Sequence, residues 1–109
     1  MTCIGNDYAF EDVFARQVQG LAQPGDVLVG ISTSGCSPNV LRAFAAAPAG
    51  VLKVALTGPG GGLAGVADVA LRVPSTGTAA IQAAHLAIIH AICAALELRF
   101  AQEPIPQVL

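Results

Sequence analysis

The fold is decided by residues 27–38, which read VLVGISTSGCSP. The first part, Val27 to Ile31, is a continuous apolar run between turn residues, which is typical of a strand buried on both faces of a parallel sheet. A loop rich in hydroxyl groups follows from Ser32 to Ser37. The pair Ser37-Pro38 then predicts a helix start, with Ser at the N-cap and Pro at the first helical position. This stretch therefore predicts a strand, a polar loop and a helix in direct succession.

The flanking sequence continues the same alternation. Apolar spacing predicts a helix over 7–21 before this strand, two further strands over 52–56 and 69–73, and a long helix over about 78–100. Strand, helix, strand units are right-handed and build parallel sheets with helices on both faces. We therefore predict an α/β fold with a three-layer, doubly wound parallel sheet. Residues 1–5 read as the end of a strand, so this sheet is expected to be truncated on its N-terminal side.

The composition predicts that part of the surface is buried against another polypeptide segment. Of the 109 residues, 54% are hydrophobic and 11% charged, whereas an average soluble domain has about 25% charged residues. The mean hydropathy is +0.67. A domain of this size has too little polar material to cover itself, so we expect a homo-oligomer or contact with sequence missing from the chain.

Charge and cysteine content exclude several classes of protein. The five basic residues stand singly, so the chain has no basic stripe for nucleic acid. The stretch from Ala79 to Leu98 is apolar but contains Gln82, two histidines and Glu97, and we expect a buried helix of a soluble protein rather than a membrane span. Three cysteines without a CxxC motif, and no secretory signal, predict a reduced cytoplasmic location.

The loop from Ser32 to Ser37 is the strongest candidate for a binding site. In an open α/β sheet, ligands bind beyond the carboxyl ends of the strands, where a helix N-terminus attracts anions. Four hydroxyls and Gly35 at this place suit a phosphate monoester. The loop has no Lys and the chain has no GxGxxG motif, which favours a small sugar phosphate over a nucleotide. The alternative is a polar loop whose hydroxyls only cap the helix and their own turn.

These residues and several later ones carry a family resemblance. The motifs are Gly25 to Gly35 with Ser37, Ala55 to Gly58 with Gly61-Gly62, Ala67-Asp68, and Ile81-Gln82 with His85 and His90. In this order they resemble the sugar isomerase (SIS) domain, which is flavodoxin-like, and within that superfamily the phosphoheptose isomerase family. The resemblance runs from about residue 4 to 98 and covers the C-terminal part of the family's domain. It implies a partial SIS domain over 1–100 and a proline-containing tail over 101–109.

The resemblance implies an activity and a substrate site. Phosphoheptose isomerases convert sedoheptulose 7-phosphate to D-glycero-D-manno-heptose 7-phosphate, a precursor step for lipopolysaccharide heptose. The family's phosphate-binding positions correspond to Ser32, Thr33, Ser34 and Ser37. Asp7 corresponds to an acid of the substrate pocket, with N-capping of the first helix as an equal alternative. The resemblance also implies a homotetramer.

The long helix carries the implied metal and catalytic positions. Gln82 corresponds to a substrate and zinc-binding position, and His90 to the catalytic, zinc-binding histidine. Eight residues of helix separate them by about 12 Å along the axis and about 80° around it, so we expect contributions from different subunits. His85 lies about 140° from His90 around the helix, and we interpret it as a structural core residue.

The chain also departs from the family pattern. Thr78 and Ala79 replace an aromatic residue and an acid, Ala83 replaces an acid, and Cys36 replaces an asparagine. The resemblance does not include the half of the domain that bears the family's catalytic Glu, so the isolated chain is expected to lack the base needed for isomerisation. The alternative function is a non-catalytic SIS module, either a sugar-phosphate sensor or a protein that associates with a replication initiator.

Overall fold

The computed structural model describes residues 9–101 as three parallel strands and three helices. The strands are β1 (Val27–Ser32), β2 (Leu52–Thr57) and β3 (Val69–Arg72), and the helices are α1 (Val13–Leu21), α2 (Pro38–Ala46) and α3 (Thr78–Ala101). Short 3-10 turns occupy Phe10–Asp12 and Ala64–Val66. The sheet order is β1-β2-β3, with both pairs parallel. The predicted α/β fold is confirmed; the expected strand end at residues 1–5, Asp7 and the tail beyond 101 lie outside the described residues.

One face of the sheet packs against α2. Phe44 of this helix is buried and forms a core cluster with Ala55 and Leu63. A side chain at Gly30 would collide with the Phe44 ring, so glycine in β1 allows the helix to approach closely. Arg42 of α2 forms ion pairs with Asp12 and Glu11. The hydrogen bond to Asp12 raises the pKa of Arg42.

The other face of the sheet is apolar and largely exposed. The strand register aligns residues of one face in three rows: Val27 with Leu52, Val29 with Val54 and Val69, and Ile31 with Leu56 and Leu71. Only Leu56 is fully buried, whereas the exposed fraction reaches 59% at Val27. Within residues 9–101, this face therefore presents a hydrophobic surface to solvent.

Helix α3 is also mostly exposed, which differs from the buried helix expected from the sequence. Of its 24 residues, only Ile81 and His85 are buried. The physical reason is that the helix meets the sheet through its first eight residues, where His85 contacts the end of β2, whereas every residue from 90 to 101 is exposed. By length and composition the helix could also cross a membrane, with a mean hydropathy of 1.8. Core helices of soluble proteins meet the same criterion, and α3 carries Gln82, His85 and His90 within its apolar stretch.

Candidate functional site

Three serine side chains converge at the carboxyl end of β1. The Ser32 hydroxyl oxygen lies 2.8 Å from that of Ser37 and 3.4 Å from that of Ser34. Ser32 is buried, and its hydroxyl also accepts a hydrogen bond from the Gly35 N–H at 3.1 Å. We call residues 32–37 the phosphate loop. The structure therefore brings together the serines that the sequence singled out, with half-buried Thr33 between them.

The hydroxyls of this loop play two different roles. Ser32 and Ser34 satisfy their own turn, since Ser34 accepts a hydrogen bond from the Cys36 N–H at 3.1 Å. Ser37 is at the N-cap position of α2, as predicted, with Pro38 following, but its hydroxyl makes no capping hydrogen bond. Each of the three serine hydroxyls therefore has a partner within the loop, as the alternative of a self-satisfied turn predicts, whereas capping of α2 by the Ser37 side chain is not observed.

A second loop supports the phosphate loop from behind. The Gly58 N–H donates to the Thr33 carbonyl at 3.2 Å, and the Leu63 N–H donates to the Gly35 carbonyl at 3.0 Å. Gly35 has a φ of +69°, and a Cβ there would collide with the Gly60 carbonyl. Only glycine suits both the left-handed backbone and this close approach. The Gly-rich turn after β2 thus fixes the shape of the loop after β1.

A polar cleft of about 280 Å³ opens beside the phosphate loop. Its walls combine residues after all three strands with the first turn of α3: Thr33, Ser34, Pro59, Gly60, Ser75, Thr76, Thr78 and Ile81. The sequence analysis did not select the hydroxyls of Ser75, Thr76 and Thr78 as site residues. Their position directly after a predicted strand was the available signal, because the carboxyl ends of parallel strands meet at one edge.

A more apolar groove of about 330 Å³ lies on the α2 side of β1. Phe14, Val18, Leu28 and Phe44 contribute to its walls, and Gln17 is its one side chain with hydrogen-bonding groups. Such a surface cannot match the charge of a phosphate. The polar cleft is therefore the better candidate for a sugar-phosphate site.

The predicted metal and catalytic residues do not form a centre within residues 9–101. Gln82 follows Ile81 of the cleft wall, and both Gln82 and His90 are exposed on α3. Because about 12 Å of helix axis separates them, the two side chains would meet at one ion only by reaching toward each other. The described residues contain no group of three or more His, Cys, Asp or Glu side chains suited to a metal. This part of the chain alone therefore does not fit a zinc site, and Asp7 lies outside it.

The other histidine of α3 has a different environment. His85 is buried, and its Nε2 lies 3.0 Å from the carbonyl oxygen of Thr57, the last residue of β2. Its Nδ1 is buried without a hydrogen-bond partner among the described residues. These contacts agree with the interpretation of His85 as a packed, hydrogen-bonded residue.

Comparison with curated proteins finds phosphoheptose isomerases that are about 50% identical to this chain. A phosphoheptose isomerase of Thiobacillus denitrificans is 56% identical over 102 residues, which are 89% of this chain and 52% of that protein. The corresponding protein of Nitratidesulfovibrio vulgaris is 53% identical over 95 residues, which are 85% of this chain and 46% of that protein. The chain thus spans about half the length of the curated relatives that it matches. No family model matches it.

Solved structures show the same relationship in three dimensions. The phosphoheptose isomerase of Neisseria gonorrhoeae superposes with a TM-score of 0.84 and 50% identity, over 88% of this chain and 55% of that one. That of Francisella tularensis gives a TM-score of 0.80 and 42% identity, over 84% of this chain and 51% of that one. The chain is therefore related to phosphoheptose isomerases in both sequence and fold, over about half of their length.

Proposed function

We propose that this chain is the sugar-phosphate-binding part of a phosphoheptose isomerase. Its substrate would be sedoheptulose 7-phosphate and the product D-glycero-D-manno-heptose 7-phosphate, which supplies heptose for lipopolysaccharide precursors. The observation that carries the proposal is the convergence of Ser32, Ser34 and Ser37 between β1 and α2. The family relationship over about half the length of known isomerases supports it.

The phosphate would occupy the phosphate loop. Hydroxyls of Thr33, Ser34 and Ser37 can donate hydrogen bonds to the phosphate oxygens, and such bonds to a charged group are stronger than neutral ones. The nine-residue helix α2 begins at this point and adds the partial positive charge of its N-terminus. The sugar would then extend into the polar cleft toward Ser75 and Thr78.

Isomerisation of a ketose to an aldose moves a proton between neighbouring carbons through an enediol, and needs a positioned acid and base. His90 is the proposed proton-transfer group and Gln82 a proposed substrate contact. The cleft walls contain no carboxylate that could serve as a base. We therefore assign the role of the base to a group outside residues 9–101 of the same copy. It would lie either in a second copy of the chain or in further sequence.

Zinc is proposed only because the chain resembles the phosphoheptose isomerase family. Gln82 and His90 would be two of its ligands, and the others would come from outside the described residues. No step proposed for residues 9–101 depends on the metal.

We also propose that the chain self-associates in the cytoplasm. The family resemblance implies a tetramer. The exposed apolar sheet face and the exposed surface of α3 support self-association, because monomeric proteins rarely leave large apolar surfaces in water. The two described cysteines, Cys36 and Cys93, are both free and exposed, which suits a reducing compartment.

A non-catalytic sugar-phosphate-binding module is the second candidate. Ala79 and Ala83 lie near Gln82 at positions where the family has acids. Residues 9–101 also contain no cluster of three or more metal-ligating side chains. An isomerase and a non-catalytic binding module would both bind the sugar phosphate. Only a measurement of isomerisation therefore distinguishes the two functions.

Calorimetric titration tests the shared part of the proposal. Sedoheptulose 7-phosphate should bind the full chain, and sedoheptulose without the phosphate should bind far more weakly. Equal binding of the two sugars would remove the phosphate loop from the site. A coupled assay of aldose formation on the same protein then decides between the isomerase and the module.

A further inference from the structure

One peptide group joins α3 to the phosphate loop. The carbonyl oxygen of Thr57 accepts hydrogen bonds from His85 Nε2 at 3.0 Å and from the Val73 N–H at 2.9 Å. The N–H of the same peptide group, on Gly58, donates to the Thr33 carbonyl at 3.2 Å. A trans peptide is planar, with its C=O and N–H pointing in opposite directions. Whatever orients the Thr57 oxygen therefore also aims the Gly58 N–H at the phosphate loop.

The hydrogen bond fixes the tautomer of His85. A carbonyl oxygen only accepts, so Nε2 carries the hydrogen and Nδ1 is a bare acceptor. That Nδ1 is buried with no partner among the described residues, which is a cost that an apolar side chain would avoid. Packing alone therefore does not explain a histidine at this position, whereas the donor at Nε2 does.

His85 also anchors its helix to the sheet. Ile81 and His85 are the only buried residues of α3, and the Ile81 side chain lies against Gly58. Gln82 and His90 extend from the same helix. The placement of these two residues relative to the phosphate loop therefore depends on the contact between α3 and the Thr57-Gly58 peptide.

We propose that His85 is a positioning residue that holds α3 and the phosphate loop in register through the Thr57-Gly58 peptide. This inference rests on the proposed function only in naming the ligand. The hydrogen bond from Nε2 keeps the Gly58 N–H on the Thr33 carbonyl, and this in turn keeps the loop in the shape that binds an anion.

Two substitutions separate the hydrogen bond from packing. His85→Gln retains a donor at a similar reach, and His85→Met fills the space without one. Val13→Ala is the matched control, because it trims a buried side chain of α1 outside the cleft and leaves the hydrogen bond in place. For each protein, amide hydrogen exchange is measured at Gly58 relative to the amides of β2, together with the affinity for inorganic phosphate and for sedoheptulose 7-phosphate.

In His85→Met, amide exchange at Gly58 should rise about five-fold relative to the amides of β2, and phosphate affinity should fall by a similar factor. In His85→Gln and Val13→Ala, both quantities should stay within about two-fold of the wild type. Unchanged relative exchange at Gly58 in His85→Met, or equal acceleration in Val13→Ala, would overturn the proposal. Absence of phosphate binding by the wild type would refute the proposed function instead, and the exchange ratio would still decide the role of His85.

Discussion

The hydroxyl oxygens of Ser32 and Ser37 lie 2.8 Å apart, although one residue ends a strand and the other precedes a helix. This contact closes the phosphate loop on itself and leaves the Ser34 side chain exposed at its rim. Buried Ser32 therefore maintains the loop, whereas exposed Ser34 is the serine of the cluster that a ligand would reach first.

Replacement of Ser32 and of Ser34 should separate effects on stability from effects on binding. Ser34→Ala should weaken sedoheptulose 7-phosphate binding by about 1.5–3 kcal/mol, the value of a hydrogen bond to a charged group, with little change in stability. Ser32→Ala should lower the free energy of unfolding by about 0.5–1.5 kcal/mol, because the Ser37 hydroxyl and the Gly35 N–H lose a side-chain partner while Gly35 keeps the main-chain carbonyl of Ser32. Calorimetry and urea unfolding measure the two effects. Wild-type affinity in the double variant Ser32→Ala/Ser34→Ala would show that the loop does not bind the phosphate.

Gly35→Ala should strongly destabilise the protein. The left-handed backbone costs an alanine about 1–2 kcal/mol, and its Cβ would also collide with the Gly60 carbonyl. Gly60→Ala is the control, since a Cβ there meets nothing within 4 Å. Urea unfolding of both variants checks this. Equal stabilities would mean that the two glycine-bearing loops do not pack against each other as described.

The chain should form oligomers at micromolar concentration, as measured by light scattering. Leu96 is 50% exposed and Phe100 52% exposed, and both lie in the C-terminal half of α3, where every residue is exposed. The double variant Leu96→Gln/Phe100→Gln should shift the protein toward smaller species, because polar side chains reduce the gain from burial. Gln19→Ala on α1 is the control and should leave the mass unchanged. A well-behaved wild-type monomer would contradict the prediction.

The 109-residue chain alone should isomerise sedoheptulose 7-phosphate slowly or not at all, even with zinc added. A missing acid or base typically lowers the rate by about 10²–10⁴-fold. Aldose formation is followed with His90→Ala as the control. Robust turnover that disappears in His90→Ala would place the base within this chain, with Asp7 as the first candidate.

Much of this architecture follows from local sequence. The apolar run before Ser32, the Ser37-Pro38 start of α2 and the apolar stretch beginning at Thr78 each predict their element, because periodicity and helix capping are local properties. The hydroxyl content of the phosphate loop likewise predicted which residues would cluster after β1.

Other features depend on residues that are distant in sequence. The contact of His85 with Thr57 spans 28 positions, and the closure of Gly35 against Gly60 depends on how two loops meet. The hydroxyls of Ser75 and Thr78 join the cleft only because β3 ends beside β2. The exposure of α3 was also decided by tertiary structure, since an apolar sequence predicts that a surface will be buried and cannot specify which element, or which copy, will cover it.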